Sequence, residues 1–462
     1  MGVNFSAFEI GRRALRASQL GLIVTGQNIA NVNTPGYSRQ AVQLSASQVD
    51  GSNLRLTGSG VTIDGVKAFR DQFIAARLQT ETAINGRLTA QRDALEPVDA
   101  ALNDTGGGGV NAALTGFFGA FRDLEANPAS VPVRATVVEK GNTLAAAFHS
   151  TRTRLVGIQH DADQELRATV ETINTLSGKV AALNTSIKVA ENSNANASEL
   201  RDQRSEAVRQ LAELTGARGS ENPDGAVTIT LNDGQALVLG DHAAKLTTVD
   251  TPPSGLASLT IEGQPALISD GKLRSLLDAI GGIGSSIQSL DDLAGSLAGR
   301  VNALHSSGTD LSGNAGTAFF ATPASSPVTA ANIDVSAALK VDPRLVVSAA
   351  SGAGSGDATV ARSIAGLLSD NTSVAGTRTG SFTSIYASLV TDAGAGVKSA
   401  EDALVTQQVI LAQTEAQRAS TSGVSLDEEA INLLQYQKSY EAAARFLKIA
   451  DELTQTILSL GQ

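Results

Sequence analysis

The residue types that most often carry out chemistry in proteins are sparse in this sequence. It contains four histidines and no cysteine. No histidine lies within four residues of another, so the paired-histidine motif of helical zinc sites is missing. A chain without cysteine has no disulfide, no thiolate nucleophile and no cysteine-bound metal. We therefore predict that His149, His160, His242 and His305 are surface or hydrogen-bonded side chains, and that the chain has no catalytic, cofactor-binding or metal site.

One loop approaches the pattern of a calcium site. Asp310, Ser312 and Asn314 alternate as oxygen ligands do in a calcium-binding loop. The required glycine is replaced by Ala315, and Ala321 stands where a bidentate glutamate belongs. We interpret the loop as a polar turn.

Composition excludes several classes of partner. The formal net charge is −11 and the pI is about 5.0, whereas nucleic acids and anionic membrane surfaces attract clustered lysine and arginine. No apolar run approaches the length of a membrane span. Aromatic residues make up only 3% of the chain, so we expect cores built from Leu, Ile, Val and Ala. We predict no nucleic-acid and no membrane partner.

The N-terminal segment has the pattern of a long helix with one narrow apolar seam. Its large apolar residues recur every seven positions, at Phe8, Leu15, Leu22 and Ile29. Small residues near this seam, at Gly11, Ser18 and Gly26, would let a partner helix approach closely. The helix should stop at the stretch Asn31–Tyr37, in which Pro35-Gly36 suits the centre of a type II turn.

The C-terminal segment is a better-specified helix. Ser425 and Glu428 form a capping box before an apolar seam whose steps alternate between three and four residues. The span Leu426–Leu460 would be about 50 Å long at about 1.5 Å per residue. We predict that this seam pairs with the N-terminal one; packing of both helices on the body is the alternative. The seam comprises Leu433, Tyr436, Tyr440, Ala443, Leu447, Ala450, Leu453, Ile457 and Leu460.

Between the two ends, helical patterns enclose a β-rich stretch. Helices are predicted across 110–155, a coiled-coil seam runs from Leu166 to Ala190, and Gly106–Gly109 breaks the helical pattern. Asp233-Gly234 between alternating runs is a strong hairpin signal. The predicted fold is mainly α with a small, protruding β insert, paired terminal coiled-coil-like helices and an elongated helical-bundle body. Its parts are 1–60 with 420–462 (terminal helices), 61–216, 271–320 and 381–419 (body), 217–270 (β domain) and 321–380 (mixed strands and helix, with a short helix near 358–368).

Long motifs at both ends resemble those of flagellar rod, hook and hook-associated proteins. The stretch Asn28–Arg39 is similar to the N-terminal signature of that group, and Ser422–Glu429 with Leu434–Tyr440 is similar to its C-terminal motif. Internal stretches narrow the resemblance to the hook-associated protein 1 family. They are Asp202-Gln203-Arg204, Asn302–His305, Gly308–Asn314, Phe319-Phe320 and Gly380-Ser381-Phe382.

The resemblance implies a structural subunit joining hook to filament, with no enzymatic activity. It implies a self-assembled ring within a tube whose inner domain is formed by the terminal helices, in an extracellular flagellum required for motility. It implies export through the flagellar type III apparatus without a cleaved signal peptide. The implied partners are further copies of the chain, hook protein, the second hook–filament junction protein and a cytoplasmic export chaperone.

The mechanism that we expect is mechanical. The terminal helices would order when they dock, because an isolated narrow-seam helix lacks a tertiary partner. The predicted assembly interface comprises Phe8, Leu15, Leu22, Ile29, Asn31, Pro35, Gly36, Tyr37, Leu433, Tyr436, Tyr440, Leu447, Leu453 and Ile457.

Two alternatives remain open. One is a flagellin-like filament protein. The other is an enzyme, such as a wall hydrolase, within the β insert, although its ionisable residues show no recognised catalytic spacing. These are Asp224, Asp233, Asp241, Asp250, Glu262, Asp270 and His242.

Overall fold

The fold is mainly helical, as predicted, and a computed structural model describes residues 2–47, 60–103, 108–193, 196–252, 255–323 and 326–460. Ten α-helices lie within these ranges. They are α1 (Gly2–Ala30), α2 (Gln72–Leu102), α3 (Val110–Ala126), α4 (Val131–Asn192), α5 (Ser198–Thr215), α6 (Gly271–Ser306), α7 (Ala337–Val341), α8 (Thr359–Gly366), α9 (Phe382–Ser422) and α10 (Leu426–Leu460).

The strands of the described residues are short and form five small sheets. Two of these sheets make up the β insert, in the orders β3-β4-β5-β6 and β7-β8-β9; the pairs β1-β2, β10-β11 and β12-β13 lie outside it. The strands are β1 (Gln40–Ala46), β2 (Val61–Ala68), β3 (Arg218–Glu221), β4 (Val227–Thr230), β5 (Ala236–Leu239), β6 (His242–Ala243), β7 (Leu246–Thr251), β8 (Leu256–Ile261), β9 (Gln264–Pro265), β10 (Gly308–Thr309), β11 (Ala349–Ala350), β12 (Ser373–Ala375) and β13 (Arg378–Gly380).

Local sequence signals set the ends of several helices. The carboxylate of Asp71 caps α2 by accepting from the backbone N–H groups of Phe73 and Ile74. The Ser130 hydroxyl caps α4. Gly216 ends α5 in the left-handed conformation, with φ of 69°, as the sequence predicted. Part of the predicted break at Gly106–Gly109 lies outside the described residues; the described Gly109 directly precedes α3.

The body is built from long antiparallel helices. The amide of Gln407 on α9 donates to the Glu81 carbonyl on α2, and near the other end of the pair the Tyr386 hydroxyl donates to the Leu102 carbonyl. Helix α4 packs against α6 and has 62 residues, about 93 Å at about 1.5 Å per residue. The predicted division of this region into helices up to 155 and a separate seam from Leu166 is wrong, because one uninterrupted helix carries both.

Large rings are few but gathered in one place. Phe117, Phe118 and Phe121 on α3 meet Phe319 and Phe320, with ring centroids 5.0–5.7 Å apart within this group. All five rings are fully buried. The expectation of aliphatic cores is therefore wrong here: edge-to-face packing of rings joins α3 to the segment after α6.

The first strand pair corrects one predicted boundary. Residues 61–68, assigned above to the helical body, form β2 and pair antiparallel with β1. The strand pair packs against α1: a Cβ added at Gly60 would lie 3.3 Å from the Ile10 backbone. It therefore belongs with the terminal helices.

The β insert lies along α4. Its predicted hairpin is present: β4 pairs with β5 across a turn in which Gly234 has φ of 90°. Asn174 on α4 pairs through its amide with both the N–H and the carbonyl of Leu246, and Asn184 does the same with Val227. Two asparagine side chains thus pair with backbone groups of the insert as a neighbouring strand would.

The segment 321–380, predicted as mixed strands and helix, packs on the body. Helix α8 lies where a short helix was expected near 358–368. Ile333, Val335 and Leu339 are buried in the same core as the ring cluster.

Candidate assembly site

The two ends of the chain pack against each other as antiparallel helices. A Cβ added at Gly11 of α1 would lie 2.6 Å from the Leu447 side chain of α10, and one at Gly21 would lie 2.5 Å from the Tyr436 ring. Residues increase along α1 as their partners decrease along α10. The close approach therefore depends on glycine, which leaves room for the larger partner.

Small residues of α1 lie beneath the large side chains of Leu447 and Tyr436 on α10. Gly11, Ser18 and Gly21 are buried, whereas Gly26, expected to serve the same purpose, faces open space. The predicted heptad residues are only half-buried. They are Phe8, Leu15, Leu22 and Ile29 on α1, and Leu433, Tyr436 and Leu447 on α10.

A second face of α10 is apolar and uncovered. We call it the uncovered stripe; its members are Ile431, Leu434, Phe446, Ile449, Leu453 and Ile457, which are 43–65% exposed. Phe446 lies at the border nearest α1, because a Cβ added at Gly11 would lie 3.2 Å from its ring. Leu453 and Ile457, predicted to lie in the seam with α1, belong to this stripe instead. Tyr440 is also exposed, at 42%. Phe446, Ile449, Leu453 and Ile457 follow one another at helical spacing and form a continuous surface.

At the other end of the helix pair, Asn28 is the centre of a buried polar cluster. Its amide nitrogen donates to the Gln40 carbonyl at 2.8 Å and to a Glu429 carboxylate oxygen at 3.0 Å. Its amide oxygen accepts from the Tyr37 hydroxyl at 2.8 Å and from the Gln40 N–H at 3.0 Å. Asn28 and Glu429 are each 1% exposed. All four hydrogen-bonding capacities of the asparagine amide are therefore used.

Arg39 extends the cluster towards the start of α10. Its guanidinium binds Glu429 at 2.8 Å and Glu428 at 3.1 Å, and its backbone N–H donates to the Ser422 carbonyl. The guanidinium carbon also lies 5.6 Å from the centroid of the Phe69 ring. The charge of the buried Glu429 carboxylate is thus balanced by an arginine from the opposite end of the chain.

Asp202 on α5 connects this cluster to the body. Its carboxylate accepts from the backbone N–H and the hydroxyl of Ser38, at 3.1 and 2.8 Å. It also binds Arg70 at 2.8 Å, just before α2 begins. We call the set Asn28, Tyr37, Ser38, Arg39, Asp202 and Glu429 the polar joint. It ties α1, α10 and the body together.

The turn residues predicted for the assembly interface form the turn that leads from α1 into the polar joint. Gly36 has φ of 84° and the Tyr37 N–H donates to the Thr34 carbonyl, so the predicted type II turn is present. Asn31 closes the end of α1 by donating to the Gln27 carbonyl, and Pro35 is exposed. Burial, reinforced by the nearby carboxylates, raises the pKa of Tyr37 to about 12, so its hydroxyl remains a donor near neutral pH.

The residues with candidate chemistry are held in structural contacts. His305 is fully buried: its Nδ1 bonds the Thr317 carbonyl and its Nε2 accepts from the Val347 N–H. Burial lowers its pKa to about 4, so it is neutral. Asp310 accepts from the backbone of Ser312 and Asn314, which makes the calcium-like loop a polar turn, as predicted.

Most ionisable groups of the β insert have structural partners. Asp270 begins α6 and binds Arg87, and Asp250 binds Arg167. Asp224 and Asp233 accept from backbone N–H groups in turns, and the exposed His242 and Glu262 face each other at 3.1 Å. Among the described residues, no three His, Cys, Asp or Glu side chains come together as metal ligands would. Within the same ranges, no helix is long and apolar enough to cross a membrane.

Three protein-family models match this chain. Residues 95–320 match the helical domain of the flagellar hook-associated protein FlgK. Residues 415–460 match the C-terminal model of the flagellar basal body rod FlgEFG proteins, and residues 8–37 match the flagella basal body rod protein model. The last two ranges contain all of α10 and most of α1, together with Asn28, Tyr37 and Glu429 of the polar joint.

Curated relatives and one solved structure agree with these matches. Flagellar hook-associated protein 1 of Bacillus subtilis is 27% identical, with 99% of each chain covered, and that of Escherichia coli is 24% identical, with 96% of this chain and 98% of the relative covered. The fold is similar to that of the flagellar hook junction protein FlgK from Burkholderia pseudomallei, with a TM-score of 0.66 and 16% identity over 74% of this chain and 100% of that one. Over nearly its whole length, the chain is therefore similar to curated proteins named flagellar hook-associated protein 1.

Proposed function

We propose that this protein is a structural subunit of the bacterial flagellum, outside the cell at the junction of hook and filament, and that it assembles through α1 and α10. The observation that carries the proposal is the uncovered stripe. A row of large apolar side chains on a helix whose other face is already paired needs a further partner, because contiguous exposed apolar surface of this kind marks interaction sites.

In a ring, the stripe of each subunit would be covered by the terminal helices of the next. The names of the relatives support hook protein as one partner. The second junction protein on the other side and an export chaperone before assembly are implied by the resemblance of the sequence motifs. Export without a cleaved signal and a requirement for motility belong to the same proposal. The sequence-predicted interface residues on α1 and α10 would then act partly within a subunit and partly between subunits.

The experiment starts from a strain that lacks the gene. Electron microscopy should show bare hooks, and flagellin should be found in the spent medium. Complementation with Ile449→Glu should leave the hooks bare, because it places a charge in the centre of the uncovered stripe. Ala444→Glu, an exposed position of the same helix outside the stripe, is the matched control and should restore filaments.

Intact filaments in the deletion strain would overturn the placement at the junction. Normal filaments with Ile449→Glu, at an unchanged level of secreted protein, would overturn the role of the stripe. Self-polymerisation of the purified chain into long filaments would instead favour the flagellin-like alternative.

A further inference from the structure

The apolar pattern of the terminal helices does not by itself fix how they align. Phe8, Leu15 and Leu22 repeat every seven residues along α1, as Leu433, Tyr440 and Leu447 do along α10. Sliding one helix by seven residues, about 10 Å, would again place apolar rows side by side. Something outside this repeat must select one alignment.

The Asn28–Glu429 contact can be satisfied in only one alignment. In the structure, Asn28 lies opposite Glu429, and all four of its hydrogen-bonding capacities are used. After a slide of seven residues in one direction, Asn28 would instead face Tyr436. The carboxylate of Glu429 would lose this donor, and the buried amide would lose an acceptor.

We infer that Asn28 and Glu429 are the residues that specify the register of α1 against α10. Each buried polar group left without a partner disfavours the slipped alignment by about tenfold or more. A buried polar contact that selects one alignment among apolar repeats is the best-attested use of such groups in coiled coils. Tyr436 over Gly21 and Leu447 over Gly11 add shape to the same alignment.

The register of the two helices affects the proposed assembly. This functional consequence of the inference rests on the proposed function. The position of the uncovered stripe along the tube follows from the alignment of α10 with α1 and with the β1–β2 strand pair. A slip of about 10 Å would present the stripe at a different height. Subunits of mixed register could not form a regular ring.

The natural absence of cysteine makes disulfide trapping direct. In the purified full chain, Gly11→Cys with Leu447→Cys reports the register of the structure. Gly11→Cys with Tyr440→Cys, or with Thr454→Cys, reports a slip of seven residues in either direction; both carry Leu447→Ala, so that the new side chain at position 11 does not clash with Leu447 in the observed register. A slipped pair is too far apart in the observed alignment, because a disulfide needs Cα atoms within about 7 Å.

Oxidation should favour the 11–447 disulfide by about tenfold or more over the slipped pairs. In the double variant Asn28→Leu, Glu429→Leu the ratio should fall towards one, while circular dichroism shows unchanged helix content. Gln19→Leu, an exposed position on α1, is the control and should keep the original ratio. An unchanged ratio in the double variant, or no preference in the natural background, would overturn the inference.

The outcome is independent of the filament test. A deletion strain with normal filaments would overturn the proposed function and leave the disulfide ratio standing. A double variant that keeps its register would overturn this inference and leave the deletion phenotype standing.

Discussion

Acidification should weaken the body of the fold at one buried imidazole, that of His305. Its Nε2 accepts from the Val347 N–H at 2.9 Å, its Nδ1 bonds the Thr317 carbonyl, and its ring packs edge-on against Phe319 with centroids 5.5 Å apart. The proton of a neutral ring suits both bonds, with Nδ1–H as donor and Nε2 as acceptor. A second proton would turn Nε2 into a donor facing another donor. It would also place a charge in the core near Arg134, which further lowers the pKa of His305.

The sign and size follow from linkage. The folded pKa of His305 is about 4, below the ordinary histidine value of about 6.5 in the unfolded chain. Its contribution to stability is therefore complete above about pH 6.5 and is lost as the pH falls towards about 4, because the unfolded chain takes up the proton first. At about pH 5 the loss from this one group amounts to about 2 kcal/mol.

Urea unfolding followed by circular dichroism, at about pH 7.5 and about pH 5, measures this loss. Because other groups titrate in the same window, the comparison is with His305→Gln, which has no proton to gain. The natural chain should lose about 2 kcal/mol more than the variant between the two pH values. His160→Gln, an exposed histidine on α4, is the control and should behave like the natural chain. Equal losses in the natural chain and His305→Gln would refute the reasoning.

Two further expectations concern the β insert. Arg204→Met should lower the free energy of unfolding by about 3 kcal/mol in the same denaturation assay, because this arginine is 3% exposed and binds Glu221 and two other acceptors. Arg201 is more exposed, so Arg201→Met, which also loses a contact with Glu221, should lower it by about 1 kcal/mol or less. Both Gly216 and Gly234 have positive φ, but of the two only Gly216 leaves no room for a side chain: a Cβ added there would lie 2.6 Å from the Asp270 side chain. Gly216→Ala should therefore lower the melting temperature more than Gly234→Ala does. Equal shifts would contradict this expectation.

Long helices with a regular apolar period could be predicted, but their continuity could not. The segment Leu426–Leu460 has the bounds that its capping box and seam predicted. For α4, the periodicity identified Leu166–Ala190 but not its connection to residues before 155. Glycines such as Gly157 weaken an isolated helix, and packing against α6 and the β insert keeps α4 intact. Strand β2 was missed because its partner β1 ends at Ala46 and β2 begins only at Val61, a separation that local patterns do not bridge.

Composition gave the number of rings but not their location. The low aromatic content predicted aliphatic cores, and the long seams of α4 and α6 are built in that way. Phe117, Phe121 and Phe319 nevertheless meet in one cluster. Phe319 lies about 200 positions from the other two in the sequence, and local sequence periodicity does not predict tertiary contacts over such a separation.

The candidate site shows the same limit more sharply. A heptad search selects large residues, so it found Phe8 and Leu15, which are only half-buried, and it passed over Gly21, which is buried beneath the Tyr436 ring. The large side chains of α10 divide between two faces, and only burial in the structure tells which face α1 covers. Leu453 fits the three-four spacing of the seam, yet it lies on the uncovered stripe.

The residues of the polar joint do not recur with a helical or heptad period in the sequence. Asn28, Asp202 and Glu429 are far apart in sequence, and each belongs to a helix whose pattern would be complete without it. What the sequence does show is that Asn28 and Glu429 lie within long end motifs whose length exceeds what helix formation requires. Helix formation needs caps and an apolar stripe, whereas a fully satisfied buried cluster needs particular side chains at particular positions. The polar joint therefore explains why the two motifs are longer than helix formation requires. In the joint, a turn brings Tyr37 and Gln40 back to the amide of Asn28.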